Sequence, residues 1–253
     1  MQLVKPESTG HWYDKNGNSA HDADLRRARK EGLFPSVTTV LQIKAKPGLD
    51  AWKQQNTIMS ALTLPRLDGE SLEDFAERVV RDSKETASNA AQIGTDVHAW
   101  AEAYCKCEPI PPPTSYWQVC YLAQEWIDEN IDLDGAMSEQ RFVNQEYGYA
   151  GTIDLIAKWK KTGQKIILDF KTQGIKTGKK AVFYDEWSYQ LSAYAAGQDC
   201  MIGNLVLSTD RLAPQIAFYE WTKDEYEKAF DIFKLILQVW QREKNYDPRK
   251  VAI

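Results

Sequence analysis

Three side chains within one short stretch have the types and spacing to do chemistry. Asp154, Asp169 and Lys171 lie in residues 151–171, GTIDLIAKWKKTGQKIILDFK. Two apolar, β-branched runs flank the segment Lys160-Lys161-Thr162-Gly163-Gln164, a pattern that predicts a β-hairpin. Centring the turn between Thr162 and Gly163 predicts Asp154 opposite Lys171 and Ile156 opposite Asp169. Side chains alternate along a strand, so this register puts Asp154, Asp169 and Lys171 on one face. Two carboxylates and an ammonium then converge at one end of a hairpin otherwise built from Ile153, Leu155, Ile166, Leu168 and Phe170. Burying two like charges side by side costs stability. A divalent cation would account for the arrangement, because hard oxygen ligands hold Mg²⁺ or Mn²⁺ and a lysine can serve a nearby phosphate. The bland alternative is a pair of exposed edge-strand carboxylates matched to Lys158 and Lys171.

Gly151-Thr152-Ile153-Asp154 followed by Asp169-Phe170-Lys171 resembles the signature of the PD-(D/E)XK nucleases. Two further stretches resemble the RecB-like exonuclease branch, which includes phage-type and mitochondrial genome-maintenance exonucleases. Gly94-Thr95-Asp96-Val97-His98 is similar to its histidine motif, and Tyr189-Gln190-Leu191-Ser192-Ala193-Tyr194 to its Gln-x-x-x-Tyr helix. The motifs run in the expected order over residues 94–194, with the flanks matched only loosely. The resemblance implies an α/β, restriction-endonuclease-like core, a central mixed β-sheet flanked by helices with a helical N-terminal elaboration. It implies metal ligation by His98, Asp154, Asp169 and the backbone carbonyl of Phe170, with Lys171 beside the scissile phosphate. Gln190 and Tyr194, four apart on one helical face, would steer the lysine, the water or the DNA backbone; the plain alternative is core packing by Tyr194.

Other positions have two readings each. Glu139 stands where relatives carry a glutamate that supports the site or a second metal, and equally suits a solvated strand. Arg141 contacts a phosphate or pairs with Glu139. Glu102, one turn after His98, orients the imidazole or is solvated. Ser36, Thr38 and Thr39, in a Pro-Ser-Val-Thr segment like one near the DNA path of relatives, bond phosphates or cap the following element. Lys176, Lys179 and Lys180 form a basic, DNA-binding loop. Trp52, Trp100 and Tyr104 are candidates for stacking on bases. The implied activity is Mg²⁺- or Mn²⁺-dependent exonucleolytic hydrolysis of DNA from free or single-stranded ends, in recombination, repair or phage DNA processing. A recombination protein or a helicase is the implied partner, since no Walker A sequence is present. A catalytically silent nucleic-acid-binding module on the same fold is the alternative.

The elements that must position these residues can be read from periodicity. One domain spanning 1–253 is expected, mainly helical over 1–134 and α/β over 135–253. A turn at Tyr13–Asn18 belongs to a small N-terminal hairpin, and helices are expected from Pro47, over 71–90, over 90–107 and over 114–130. The helix over 114–130 carries Trp117, Tyr121, Leu122 and Trp126 on one side. Gly94 weakens the helix that carries His98, so a reason such as close packing of its backbone is expected there. Residues 108–113, Glu-Pro-Ile-Pro-Pro-Pro, read as a stiff linker. Strands follow at 136–143, 150–159, 165–172, 203–208 and 215–221, with a helix over 184–197. Thr222-Lys223-Asp224-Glu225 is a capping box for a last helix whose stripe is Tyr226, Phe230, Phe233, Leu237 and Trp240.

Composition bounds the rest. The 253 residues are 43% hydrophobic and 26% charged, ordinary for a globular chain, and no apolar run is long enough to span a bilayer. No signal-peptide pattern opens the chain, so a cytoplasmic address, in a bacterium or a phage-infected host, is expected. A net charge of −5 argues against a protein that coats DNA electrostatically. Cys105, Cys107 and Cys120 precede the hairpin and only Cys200 follows it, the wrong distribution for the iron–sulfur cluster of some RecB-like nucleases; four reduced thiols are expected.

Overall fold

The structure is a computed structural model that describes residues 11–108 and 110–251. Pro109, inside the expected linker, and residues 1–10 lie outside the described residues.

A five-stranded mixed sheet carries the molecule, with strand order β3 (Ile131–Asn144), β4 (Tyr149–Trp159), β5 (Lys165–Gln173), β6 (Met201–Ser208), β7 (Ile216–Trp221). All neighbours are antiparallel except β5 and β6, which run parallel and are joined through helix α6 (Asp185–Ala195). The fold is therefore α/β, a mixed central sheet flanked by helices. Helices α6 and α7 (Lys223–Glu243) pack with α2 (Val37–Leu41) over one apolar cluster that includes Ile156, Ile167 and Phe233. Helices α4 (Leu72–Cys105) and α5 (Trp117–Asn130) cover a second cluster, which includes Leu155, Leu168 and Phe170. The α7 capping box forms as expected, Thr222 and Glu225 each satisfying the other's backbone. Before the sheet, β1 (Trp12–Tyr13) pairs with β2 (Phe34–Pro35), with α1 (Leu25–Glu31) between them, and α3 (Pro47–Thr63) lies against α4.

Four sequence expectations need correction. The two helices expected over 71–90 and 90–107 are one helix of 34 residues. Nothing in Ala87-Ser88-Asn89-Ala90-Ala91 breaks a helix, and alanine favours its continuation. Strand β3 begins at Ile131, directly after α5, and absorbs its early start by a register shift between Asp132 and Met137. The buried face of α5 is Val119, Cys120, Ala123 and Ile127, while Trp117 and Tyr121 are exposed. Small Cys and Ala side chains let the helix settle close to the sheet, and the large rings turn outward.

The fourth concerns the hairpin. Leu155 pairs with Leu168 and Lys158 with Lys165, a register shifted by two from the expected one. The turn is centred earlier because Gly163 adopts φ 72° and its N–H donates to the Trp159 carbonyl, closing a loop of residues 160–163. A shift of two keeps every side chain on its face. One step beyond the last paired residues, Asp154 therefore stands across from Asp169 rather than Lys171.

Candidate functional site

The site lies at the end of the sheet where three acidic residues occupy adjacent strands. Asp154 and Asp169 face one another across β4 and β5. On β3, Ser138 pairs with Leu155 and Gln140 with Ile153, which places Glu139 across from Asp154. Glu139 has φ 53°, a left-handed conformation uncommon for a non-glycine residue, and it interrupts the ladder there. The carboxylate so presented reaches His98 of α4: His98 Nε2 is 3.7 Å from Glu139 and 3.6 Å from Asp154. Among the described residues, His98, Glu139 and Asp154 are the group whose ligand atoms could converge on one metal ion, all lying within 4.8 Å of one another.

Helix α4 comes close enough for this because Gly94 lacks a side chain. A Cβ at Gly94 would stand 2.8 Å from Thr172 Oγ1 of β5. The expected close approach is thus present, and it seats His98, one turn later, edge-on to Phe170 at 6.1 Å. Gly151 is needed for a similar reason, since a Cβ there would meet Phe142 at 2.9 Å and Tyr194 at 3.0 Å.

Asp169 is 1% exposed and its oxygens are fully engaged. Lys171 Nζ donates to Oδ1 at 2.8 Å and Gln190 Nε2 at 3.0 Å, while Asn204 Nδ2 donates to Oδ2 at 2.6 Å. Gln190 ties the network together, because its Oε1 accepts from Lys171 at 3.2 Å and its Nε2 is also 2.8 Å from the Tyr194 hydroxyl. Behind it, Trp221 Nε1 donates to Asn204 Oδ1 at 2.8 Å. The buried carboxylates are therefore not the exposed edge charges of the bland alternative. Asp154 accepts one backbone bond, from Phe170 N–H at 2.9 Å.

The electrostatics follow from this placement. Burial, reinforced by the charge of Asp169, pushes the Asp154 carboxyl up to about 7, against the opposing pull of His98 and Lys171. Burial alone would lower His98, but Glu139, Asp154 and Asp169 overcome it and hold the imidazole above its ordinary value. Burial raises Tyr194 well above its ordinary value, so its hydroxyl stays protonated.

Other expected site residues divide. Ser36 and Thr39 are buried, and Ser36 caps α2 by accepting from Thr39 N–H at 2.9 Å, the capping role. Thr38 is exposed and lines the cleft. Glu102 also lines it but pairs with Lys106 rather than His98. Arg141 is exposed on β3 and makes no ion pair with Glu139, whose partner is His98. Lys176, Lys179 and Lys180 are exposed on a loop that does not line the cleft. Trp100 is buried and stacked on Tyr104 at 5.6 Å, so it is core; Trp52 is open to solvent. Cys105 and Cys120 are buried, and burial pushes both thiols up to about 12.

Sequence reasoning missed Asn204 and Trp221. The signal was faint: one amide inside the otherwise apolar run Met201-Ile202-Gly203-Asn204-Leu205-Val206-Leu207. It also missed Tyr13 of β1, whose hydroxyl lies 2.9 Å from Thr152 Oγ1 and which lines the cleft.

No family model and no curated protein matches the chain. Among solved structures, the crystal structure of SSO0001 aligns with a TM-score of 0.32 and 17% identity, covering 51% of this chain and 59% of that one. The chain thus spans less than two thirds of that protein's length, and a likeness this distant transfers neither fold nor activity. Among the described residues, no helix is long and apolar enough to cross a membrane.

Proposed function

We propose that the chain is a PD-(D/E)XK-type nuclease that uses Mg²⁺ or Mn²⁺ to hydrolyse DNA phosphodiester bonds, working from free or single-stranded ends. The observation that carries this reading is the row Glu139, Asp154, Asp169 across three strands, with Lys171 held at one flank and His98 at the other. An imidazole and two carboxylates within 4.8 Å of one another fit a hard or borderline divalent cation. His98, Glu139 and Asp154 would hold it, and when bound it would lower the pKa of a water and offset charge on the phosphate. Relative to the expected ligand set, Glu139 joins His98 and Asp154, Asp169 lies outside this group, and the Phe170 backbone carbonyl stays a proposed ligand.

The remaining roles belong to side chains already in position. Asp169 and Gln190 hold the Lys171 ammonium at the mouth of the cleft, where it can donate to a phosphate oxygen as charge builds in the transition state. Tyr194 fixes the Gln190 amide and so the lysine. Thr38 offers a hydroxyl to the strand entering the cleft.

The test is digestion of 5′-labelled single-stranded, duplex and circular DNA in Mg²⁺, Mn²⁺ or EDTA, with Lys171→Ala beside the wild type. Cleavage that requires metal and falls by about 10²–10³-fold in the variant is the expected outcome. DNA bound but uncut under every metal condition would replace the nuclease with a silent binding module, and neither binding nor cleavage would end the nucleic-acid reading.

A further inference from the structure

We propose that the groove next to Lys171 is a subsite for one unpaired nucleoside of the substrate strand, flanking the bond that is cut. The inference rests on the nuclease reading and adds to it the form of substrate the protein selects. The groove has a volume of about 710 Å³, inside the roughly 300–1,000 Å³ typical of small-ligand clefts. Thr38, Lys171, Thr172, Trp187 and Gln190 line both this groove and the acidic cleft. Lys171 therefore stands at their junction, and a phosphate beside its ammonium sends the neighbouring nucleoside into the groove.

The lining suits a base. Leu49 and Trp52 of α3 and Tyr184, just before α6, line the groove, and the three remain 43%, 37% and 45% exposed. Large apolar side chains scattered singly on a surface are ordinary, but three around one concavity are not. Tyr184 is held edge-on to Trp187 at 5.1 Å, and Trp187 is edge-on to Phe183 at 6.1 Å, so the aromatic wall is fixed before anything binds. Tyr184 precedes α6 and makes no capping hydrogen bond through its side chain.

Charge sets the class of ligand. Lys44, Lys46 and Lys171 are opposed in the groove by Asp185 and Glu186, and Lys46 is paired with Glu186 at 2.9 Å. Lys44 lies 4.2 Å over the Tyr189 ring. A nearly balanced groove with an aromatic wall favours an uncharged flat ring carried between phosphates over a bare anion. A base inside a duplex has both faces stacked and its pairing edge occupied, so only an unpaired base enters. Stacking on aromatic side chains tolerates any base, which makes the subsite selective for single strand without being selective for sequence.

The test uses the full chain with Trp52→Ala, Trp52→Phe and Tyr184→Ala, all at solvent-exposed positions. Tryptophan fluorescence is titrated with an octathymidylate and with a blunt duplex in EDTA at low salt, where no hydrolysis occurs. Octathymidylate affinity should fall by about 5- to 100-fold in each alanine variant, be largely kept in Trp52→Phe, and leave duplex binding unchanged. With metal present, the alanine variants should raise KM for single strand more than they lower kcat. Wild-type octathymidylate affinity in both alanine variants would overturn the subsite while cleavage by the same preparations left the nuclease reading standing. Equal losses for single strand and duplex would also overturn it. A wild type that neither binds nor cuts any oligonucleotide would instead remove the reading on which the subsite rests.

Discussion

His98, Glu139 and Asp154 face one another across gaps of 3.6 and 3.7 Å, and the Asp154 side chain accepts one backbone hydrogen bond. A strand away, Asp169 is closed into a network with Lys171, Gln190 and Asn204 in which both of its oxygens are engaged. The two halves share a sheet edge and a polarity, yet they are finished to different degrees. On the Asp169 side every buried charge has its partner, so the lysine is preorganised and the carboxylate costs the fold little. On the Asp154 side burial and the charge of Asp169 outweigh the pull of His98 and Lys171, which is why the carboxyl is pushed up to about 7. The half left under-compensated has room and ligands for a cation, and the completed half supplies the fixed ammonium. The difference separates a place for binding from a place for positioning.

The largest test of that contrast is a pair of isosteric changes. Asp154→Asn and Asp169→Asn should each reduce hydrolysis by at least about 10²-fold, for opposite structural reasons. In EDTA at pH 8, Asp154→Asn should raise the unfolding temperature, because it removes a charge that burial and Asp169 oppose more strongly than His98 and Lys171 favour it, and keeps an acceptor for Phe170 N–H. Asp169→Asn keeps one acceptor oxygen but turns an NH2 toward the remaining donors among Lys171, Gln190 and Asn204, and should cost about 1–3 kcal/mol, at about 2–4 °C per kcal/mol for a chain near this size. Thermal unfolding of both variants checks it. Shifts of the same sign would erase the distinction between the halves.

The pH dependence sharpens the same contrast. Asp154 is raised above its ordinary value, so the native state binds a proton that the unfolded chain has released. Its contribution to stability is therefore greatest below about pH 4 and declines as pH rises toward about 7. A cation competes with that proton, and His98, also raised, must lose its own before it can ligate. Mn²⁺ affinity measured by calorimetry should strengthen steeply from pH 6 to pH 8, with proton release on binding. Asp154→Asn should flatten that slope along with the affinity, whereas Asn204→Ala, in the positioning half, should leave both the affinity and the slope largely as in the wild type. A pH-independent affinity in the wild type would refute the assignment of this half as the metal side.

Much of this arrangement was legible in the sequence because it depends on parity and local chemistry. Strand alternation put Asp154, Asp169 and Lys171 on one face even though the turn was misplaced by Gly163, since an error of two residues leaves the face unchanged. Gly94 announced the close approach of a helix, and the capping box announced α7. What could not be read depends on contacts remote in sequence. Asn204 meets Asp169 only because β6 pairs parallel to β5 after a crossover, and Trp221 meets Asn204 only through the β6–β7 ladder. Glu139 was undecided between site and solvent because its role depends on one left-handed residue that no periodicity encodes. The outward turn of Trp117 and Tyr121 was misread for a related reason: helical periodicity finds a stripe, but the sheet chose the small residues beside it.

The smallest expected effect lies deepest in the completed half. Asn204 is fully buried, and its amide is oriented by Trp221 Nε1, which donates to Oδ1 and so directs Nδ2 at Asp169. Trp221→Phe keeps the aromatic bulk but removes that donor. It leaves Oδ1 unsatisfied and lets the amide turn its oxygen toward a carboxylate that needs a donor. The expected cost is about 1 kcal/mol, seen as a fall of about 2–4 °C in the unfolding temperature and a several-fold loss of kcat with KM unchanged. Asn204→Ala should cost more, and the double variant should cost no more than Asn204→Ala alone, because the indole acts only through the amide. Additive losses in that cycle would mean that Trp221 supports the sheet by packing and does not orient Asp169, and the network would then end at Asn204.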